Sequence, residues 1–277
     1  MNAPPRFLYR YYSTPNYIMD VVAEKRLYHC EPHEFNDPFD CRPLLSLWHS
    51  RTESEAVWHK FLYYFAPINS SELERKNYAD GVIKQRLHRN PSWLREADEQ
   101  LKHADPIRVC CFSKSPRNTM LWAHYANQYK GVVFQFRTAF LRDAESMEFR
   151  GQEVRYLSSP LTISDCLPML ERAAMYKDPF PLGGLVYWTK DDHWTKEDEI
   201  RLFALHDQRH VEFEEPALAG IIFGEKCDEN LIRKVVRTID TWKRKPCLFK
   251  TSIAKTTFRL RIGKYVSNRT PSRYREQ

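Results

Sequence analysis

The chain is 277 residues long, 42% hydrophobic and 14% aromatic with only 8 glycines, which excludes collagen-like, low-complexity and wholly disordered classes. Its net charge of +7 is unevenly spread, because residues 226–277 carry 15 basic and 4 acidic side chains, +11, leaving −4 on residues 1–225. Such a local basic stretch suits an anionic partner (RNA, DNA or a phosphorylated cofactor) or serves as a solubilising surface.

Phe7, Tyr9 and Tyr11 alternate with Leu8, Arg10 and Tyr12, and this period of two predicts a first strand ended by Ser13-Thr14-Pro15. Asn16 is expected to cap a short helix that places Tyr17, Ile18, Val21 and Val22 on one face, followed by a strand over residues 27–30. Residues 45–105 read as a mainly helical insertion, with Trp58, Phe61, Leu62 and Phe65 at helical spacing. Residues 107–112 suit a buried strand. Residues 119–129 suit a helix with Met120, Ala123, His124 and Ala126 on a shared face, ended by Gly131, and residues 132–136 return to strand composition. Further strands are expected at residues 153–157, 199–204, 220–223 and 256–265. Asp228 caps a helix with an apolar stripe of Leu231, Ile232, Val235, Val236 and Ile239, and Lys243 to Lys245 suit its negative end. The tail after Ser267 is polar and expected to be loose. The expected whole is one α+β domain, a mixed sheet core with a helical insertion and a basic C-terminal part.

The seven cysteines, Cys30, Cys41, Cys110, Cys111, Cys166, Cys227 and Cys247, form no CxxC and no zinc-finger spacing. A reducing cytoplasm fits them. The opening residues lack a signal-peptide run, and nothing later approaches the roughly 20 apolar residues of a membrane span.

Three constellations could carry chemistry. In Phe35-Asn36-Asp37-Pro38-Phe39-Asp40, polar groups alternate with aromatics around a proline, which makes either a structural turn or a loop suited to a ribose or amide ligand. In Cys111-Phe112-Ser113-Lys114-Ser115-Pro116-Arg117-Asn118, a strand runs into the helix bearing Met120, Trp122, His124 and Tyr125. That entrance is either an anion site or ordinary capping, and His124 is either a general base or a packed structural residue. In Trp194-Thr195-Lys196-Glu197-Asp198-Glu199-Ile200-Arg201, an extended chain would put Glu197, Glu199 and Arg201 on one face. Paired carboxylates there could support a cationic sugar transition state, or the segment could be a solvated acidic edge.

Together these segments resemble a bacterial family catalogued as domain of unknown function 2971. The motifs that carry the resemblance are Leu8-Tyr9-Arg10-Tyr11, the Asn36 to Asp40 run, Cys111-Phe112-Ser113, Trp122-Ala123-His124-Tyr125 with Gly131, the block of Trp194, Glu197, Glu199 and Arg201, and Ile221 to Gly224. It spans residues 7 to about 225. The order of elements also looks like the ADP-ribosyltransferase layout, and residues 111–121 are similar to the Phe-Ser-x-x-Ser-Pro-Met-Leu region of its DNA-modifying toxins, although the usual Ser-Thr-Ser triplet is absent.

That second likeness implies an ADP-ribosyltransferase-like fold with NAD as substrate and no metal. Arg10 would hold NAD phosphate or ribose, and Ser113 would support the nicotinamide pocket, with Tyr9 or Trp122 as stacking faces. Glu199, or Glu197 if the register shifts, would bind the ribose 2′-hydroxyl and stabilise the sugar cation, and the remaining carboxylate of the pair would orient or deprotonate the acceptor. Asn36, Asp37, His124 and Tyr125 complete the candidate cofactor contacts. The implied function is transfer of ADP-ribose onto a macromolecule in bacterial defence or as a toxin, with nucleic acid presented by residues 226–277 and an antitoxin or regulator as a further partner. A non-enzymatic nucleotide or nucleic-acid sensor is one alternative. A metal-dependent hydrolase or nuclease using Asp37, Asp40, His124 and Glu199 is another.

Overall fold

The aromatic alternation at the start of the chain becomes β1 (Phe7–Tyr12) in a computed structural model that describes residues 5–37, 39–40, 45–66, 70–102, 108–139, 149–175, 187–204, 208–254, 257 and 259–265. α1 (Pro15–Ala23) follows, buries Ile18, Val21 and Val22, and leaves Tyr17 exposed. Its N-cap is Thr14, with Pro15 in the first turn, so Asn16 lies inside the helix and does not cap it. β2 (Arg26–Tyr28) pairs antiparallel with β9 (His210–Glu212) as a separate ribbon.

β1 lies inside a sheet with β3 (Arg108–Ser113), β4 (Val132–Arg137), β5 (Phe149–Glu153), β8 (Glu199–Ala204), β10 (Leu218–Phe223), β11 (Cys247–Ile253) and β12 (Leu260–Lys264). Their order is β12-β11-β10-β4-β1-β3-β8-β5, with β10 and β11 parallel and the β1–β3, β1–β4, β4–β10 and β11–β12 pairs antiparallel. The mixed α+β class expected from the sequence is therefore present.

The chain divides into two compact units. The first comprises residues 1–29, 110–151 and 196–277, and the second residues 30–109 and 152–195. In the first unit the alternation of β1 sorts side chains between two apolar clusters. Leu8 and Tyr12 join Cys110, Phe112, Phe134, Phe136, Ile200 and Leu202 in the larger one, which α1 and a C-terminal helix, here α7 (Glu229–Ile239), cover with Val21, Val22, Ile232 and Val235. Asp228 caps that helix as expected, accepting from Asn230 N at 2.8 Å and Leu231 N at 3.0 Å. The other cluster holds Trp122, Ala126, Val133, Ile222 and Leu260, with Tyr9 and Tyr11 packed against it. Each face of the sheet thus has its own apolar layer.

The second unit is helical, as expected for the insertion, with α2 (Glu55–Phe65), α3 (Glu72–Lys84) and α4 (Pro91–Lys102). β6 (Arg155–Leu157), part of the strand expected at residues 153–157, also belongs to this unit, as do its parallel partner β7 (Thr189–Asp191) and α6 (Ile163–Met175), which were not expected. Its core gathers Trp58, Phe61, Leu62, Leu94, Ile163 and Leu170. Trp58 Nε1 donates to Ser50 O at 2.9 Å and Ile163 N donates to Ser50 Oγ at 3.0 Å, so a buried serine satisfies polar groups on two elements.

The expected helix over residues 119–129 is shorter. α5 (Thr119–His124) gives way to a turn in which Asn127, Gln128 and Tyr129 have φ of 45°, 54° and 70°. Its buried residues are Leu121 and Trp122, with Ala126 beyond it, while Met120, Ala123 and His124 are exposed, so the predicted shared face is the wrong one. Gly131 closes the turn because a Cβ there would collide with the carbonyl of Tyr12. The proposed loose tail lies outside the described residues. Among those described, no helix is long and apolar enough to cross a membrane.

Candidate functional site

One polar row crosses the sheet face opposite the larger cluster. Register places Gly220 beside Gln135, Gln135 beside Tyr9, and Tyr9 beside Ser113, on four adjacent strands β10, β4, β1 and β3. Directly paired residues project to the same side, so these groups share one face. A Cβ at Gly220 would stand 2.6 Å from Gln135 Oε1, so any larger residue there would displace that side chain. Gln135 Nε2 then donates to the Tyr9 hydroxyl at 3.3 Å.

The row continues towards β8. Lys114 N donates to Asp198 O at 3.1 Å and Lys114 Nζ pairs with Asp198 Oδ1 at 3.1 Å, so the end of β3 meets the start of β8. Ile200 and Leu202 point into the larger cluster, which turns Glu199 and Arg201 onto the face of Tyr9 and Ser113. There the Arg201 fork grips Glu199, with Nε to Oε1 at 2.8 Å and Nη2 to Oε2 at 3.2 Å. The arginine is fully buried and the glutamate nearly so, at 0% and 5% exposure, and the bidentate contact fixes the orientation of the carboxylate.

Glu197 departs from the expected register. It ends a 3₁₀ turn (Asp192–Glu197), and Asp198 takes φ 47°, which breaks the extended chain between the two glutamates. Glu197 is instead held by Tyr125, whose hydroxyl donates to its Oε1 at 2.8 Å just beyond α5. Both carboxylates are buried polar groups, but Glu199 is carried by the strand and Glu197 by the turn before it.

The helix entrance is capped, and the cap is neither serine. Asn118 Oδ1 accepts from Met120 N and Leu121 N at 3.0 and 3.2 Å, and its amide donates to Lys196 O. The oxygens of Ser113 and Ser115 accept from Ser115 N and Arg117 N at 3.3 and 3.2 Å. These backbone donors are therefore spent within the loop, and the exposed cation left at its tip is Arg117. Its charge is felt at Tyr9, whose phenol is pushed above its ordinary value first by burial, with the Gln135 hydrogen bond and Arg117 opposing.

Several predicted site residues stand elsewhere. Arg10 projects with Leu8 and Tyr12 to the opposite face, where its guanidinium donates to Tyr28 O at 2.9 Å and to Cys110 Sγ and lies over the rings of Tyr12 and Phe112. Period two makes this unavoidable, since Arg10 and Tyr9 are neighbours on a strand. Trp122 is fully buried, stacked on Tyr129 at 5.8 Å and edged by Tyr11 at 5.6 Å, with Nε1 donating to Pro116 O at 2.8 Å. It supports the loop and offers no stacking face. His124 is exposed at the end of α5, so the packed structural reading, one of its two alternatives, does not hold.

Asn36 and Asp37 belong to the second unit. Asp37 Oδ1 accepts from Phe39 N at 2.9 Å, a turn closed by its own carboxylate, and Asp40 forms a buried pair with Lys190 at 3.1 Å. Lys190 also lies 4.9 Å from the Trp194 ring centroid. The structural turn is thus realised, with Asn36 and Phe39 exposed on it, while Pro38 lies outside the described residues. Asp37 and Asp40 are engaged in holding the turn, and the described groups close enough to share a cation are the half-buried Asp191 and the exposed Asp192 and His193.

Sequence reasoning missed Gln135, Lys190 and the distinct place of Arg117. Gln135 had a signal, as the one polar residue in Val132 to Phe136. Residues 121–202 match the model of a family described as a protein of unknown function (DUF2971), a stretch that holds Trp122, His124, Tyr125, Lys190, Glu197, Glu199 and Arg201. The match supports the first resemblance and not the likeness to ADP-ribosyltransferases. No curated protein and no solved structure matches the chain.

Proposed function

We propose that this chain is an ADP-ribosyltransferase-like enzyme that moves ADP-ribose from NAD to a macromolecular acceptor. The observation that carries the reading is the shared face of Tyr9, Ser113 and Glu199 on the adjacent strands β1, β3 and β8. On this reading the Glu199 carboxylate, oriented by Arg201, faces the ribose carbon as its bond to nicotinamide breaks and the pyridine leaves with the bonding pair. Glu197, held by Tyr125, takes the proton of the acceptor as its nucleophile bonds to that carbon. Tyr9 offers a neutral phenol and a ring face. Arg117 replaces Arg10 as the guanidinium for the phosphates, because it is the exposed one on this side.

The +11 segment favours nucleic acid over protein as acceptor, and a role in bacterial defence or as a toxin follows only from the resemblance. Incubation with labelled NAD and, separately, total RNA, DNA or protein tests the reading. Label should enter one of the three and fail to enter with Glu199→Gln.

A second reading has one observation of its own. Glu199 has both oxygens on the Arg201 fork and is almost fully buried, the arrangement of a structural ion pair. A non-enzymatic binding module would use it so, and in that case Glu199→Gln would change stability while leaving ligand binding intact.

A further inference from the structure

On the layer that covers the larger cluster, the side opposite Glu199, three rings form a ladder at the surface of the first unit. Tyr17 of α1 stacks on Tyr28 of β2, with centroids 6.1 Å apart and planes at 19°. His210, paired in register with Tyr28 on β9, meets the same ring edge-on at 5.5 Å, and the Arg209 guanidinium lies 5.9 Å from its centroid. Leu27 points inward to the core, so Tyr28 is turned outward by alternation. Tyr17 is 51% exposed, a large aromatic face held in water by a neighbour that fixes its plane.

The surroundings are basic. α1 packs against α7, whose exposed side carries Arg233, Lys234 and Arg237, and Lys243, Arg244 and Lys245 follow it. Of the nearby acids, Asp20 holds Arg26 at 3.0 Å, Glu215 holds Lys25 at 3.0 Å and Asp240 holds Lys245 at 3.1 Å, while Glu24, Glu212 and Glu214 are exposed, so the basic groups are in excess over a mixed surface. Aromatic rungs beside a cationic track are the combination that binds single strands, since every base has a face to stack and every phosphate a charge to neutralise. A duplex hides its base faces and could use only the charges.

We infer that this surface binds single-stranded nucleic acid, with a base stacked on Tyr17 and the backbone carried over the basic side of α7. It deepens the proposed preference for a nucleic acid acceptor, yet it needs no NAD and stands if the transferase reading fails. The test is fluorescence anisotropy of the full chain with labelled single strands of DNA and of RNA about 12 nucleotides long, long enough to cover a site of this kind, and with the matching duplex. Both single strands should bind more tightly than the duplex, and a preference between them would identify the sugar. Tyr17→Ala should weaken single-strand binding about five-fold or more, the loss of one stacked base. Tyr78→Ala, at an exposed tyrosine of the second unit, should leave it unchanged. Binding unaffected by Tyr17→Ala, a preference for duplex, or no binding at low salt would overturn the inference; NAD turnover retained while binding is lost would separate the two readings.

Discussion

Arg10 and Glu199 leave opposite faces of the same sheet. Arg10 follows Leu8 and Tyr12 into the larger apolar cluster, and Glu199 is turned away from that cluster by its neighbour Ile200. A cleft formed by Arg10, Ser113 and Glu199 together is therefore not what this fold builds. Ser113 and Glu199 keep company with Tyr9, Gln135 and Arg117 instead.

The two arginines should separate cleanly under mutation. Arg117→Ala removes an exposed charge and should raise the KM for NAD about ten-fold, as for a lost charged hydrogen bond, with an unchanged Tm. Arg10→Ala strips donors from Tyr28 O and from Cys110 and should lower Tm first. Equal effects of both on KM would show that the face assignment does not govern binding.

The buried Asp40–Lys190 pair should behave as a clasp of the Asn36 to Asp40 turn. Lys190→Met leaves a carboxylate without its cation and should cost about 3–5 kcal/mol by chemical denaturation. Adding Asp40→Leu should recover most of that loss, because the stranded charge is gone. A double variant as unstable as the sum of the singles would refute the clasp.

Stability should fall in alkali. Burial raises the phenols of Tyr11 and Tyr12 well above their ordinary value of 10.0, and pushes Cys166 and Cys227 up to about 12 and about 11. Below about pH 7.5 both folded and unfolded chains keep these protons, since an ordinary thiol titrates at about 8.5 and an ordinary phenol at about 10. As pH rises further the unfolded chain ionises first, so it binds fewer protons than the folded one and the free energy of unfolding drops, by up to about 1.4 kcal/mol per pH unit for each group. Denaturant midpoints from pH 8 to pH 11 should show this slope, and Tyr12→Phe should reduce it. A flat profile would contradict it.

Strands with a strict period were legible from residue order alone, as β1 and β8 show, because alternation encodes both existence and facing. The same alternation already separated Arg10 from Tyr9, but choosing between them needed the register with Ser113. α5 misled because Leu121 and Trp122, not Met120 and His124, are its buried residues, and three left-handed residues follow it. β11 was hidden by Lys243 to Lys245, which read as a helix end, and by Lys250 within a strand that buries only Thr251. Asp198 decided the Glu-x-Glu geometry, and a single positive φ leaves no mark in composition. Asp40 and Lys190 lie 150 positions apart, and only folding reveals them as partners.

The central claim is that Glu199 acts on a departing nicotinamide, and nicotinamide release measures it most directly. Purified protein with NAD and its acceptor fraction should release one nicotinamide per ADP-ribose attached. Glu199→Gln, shown to be folded by circular dichroism, should release it about 100-fold more slowly or not at all. No release by the unaltered protein with RNA, DNA or protein, or turnover by Glu199→Gln at the unaltered rate, would contradict the account.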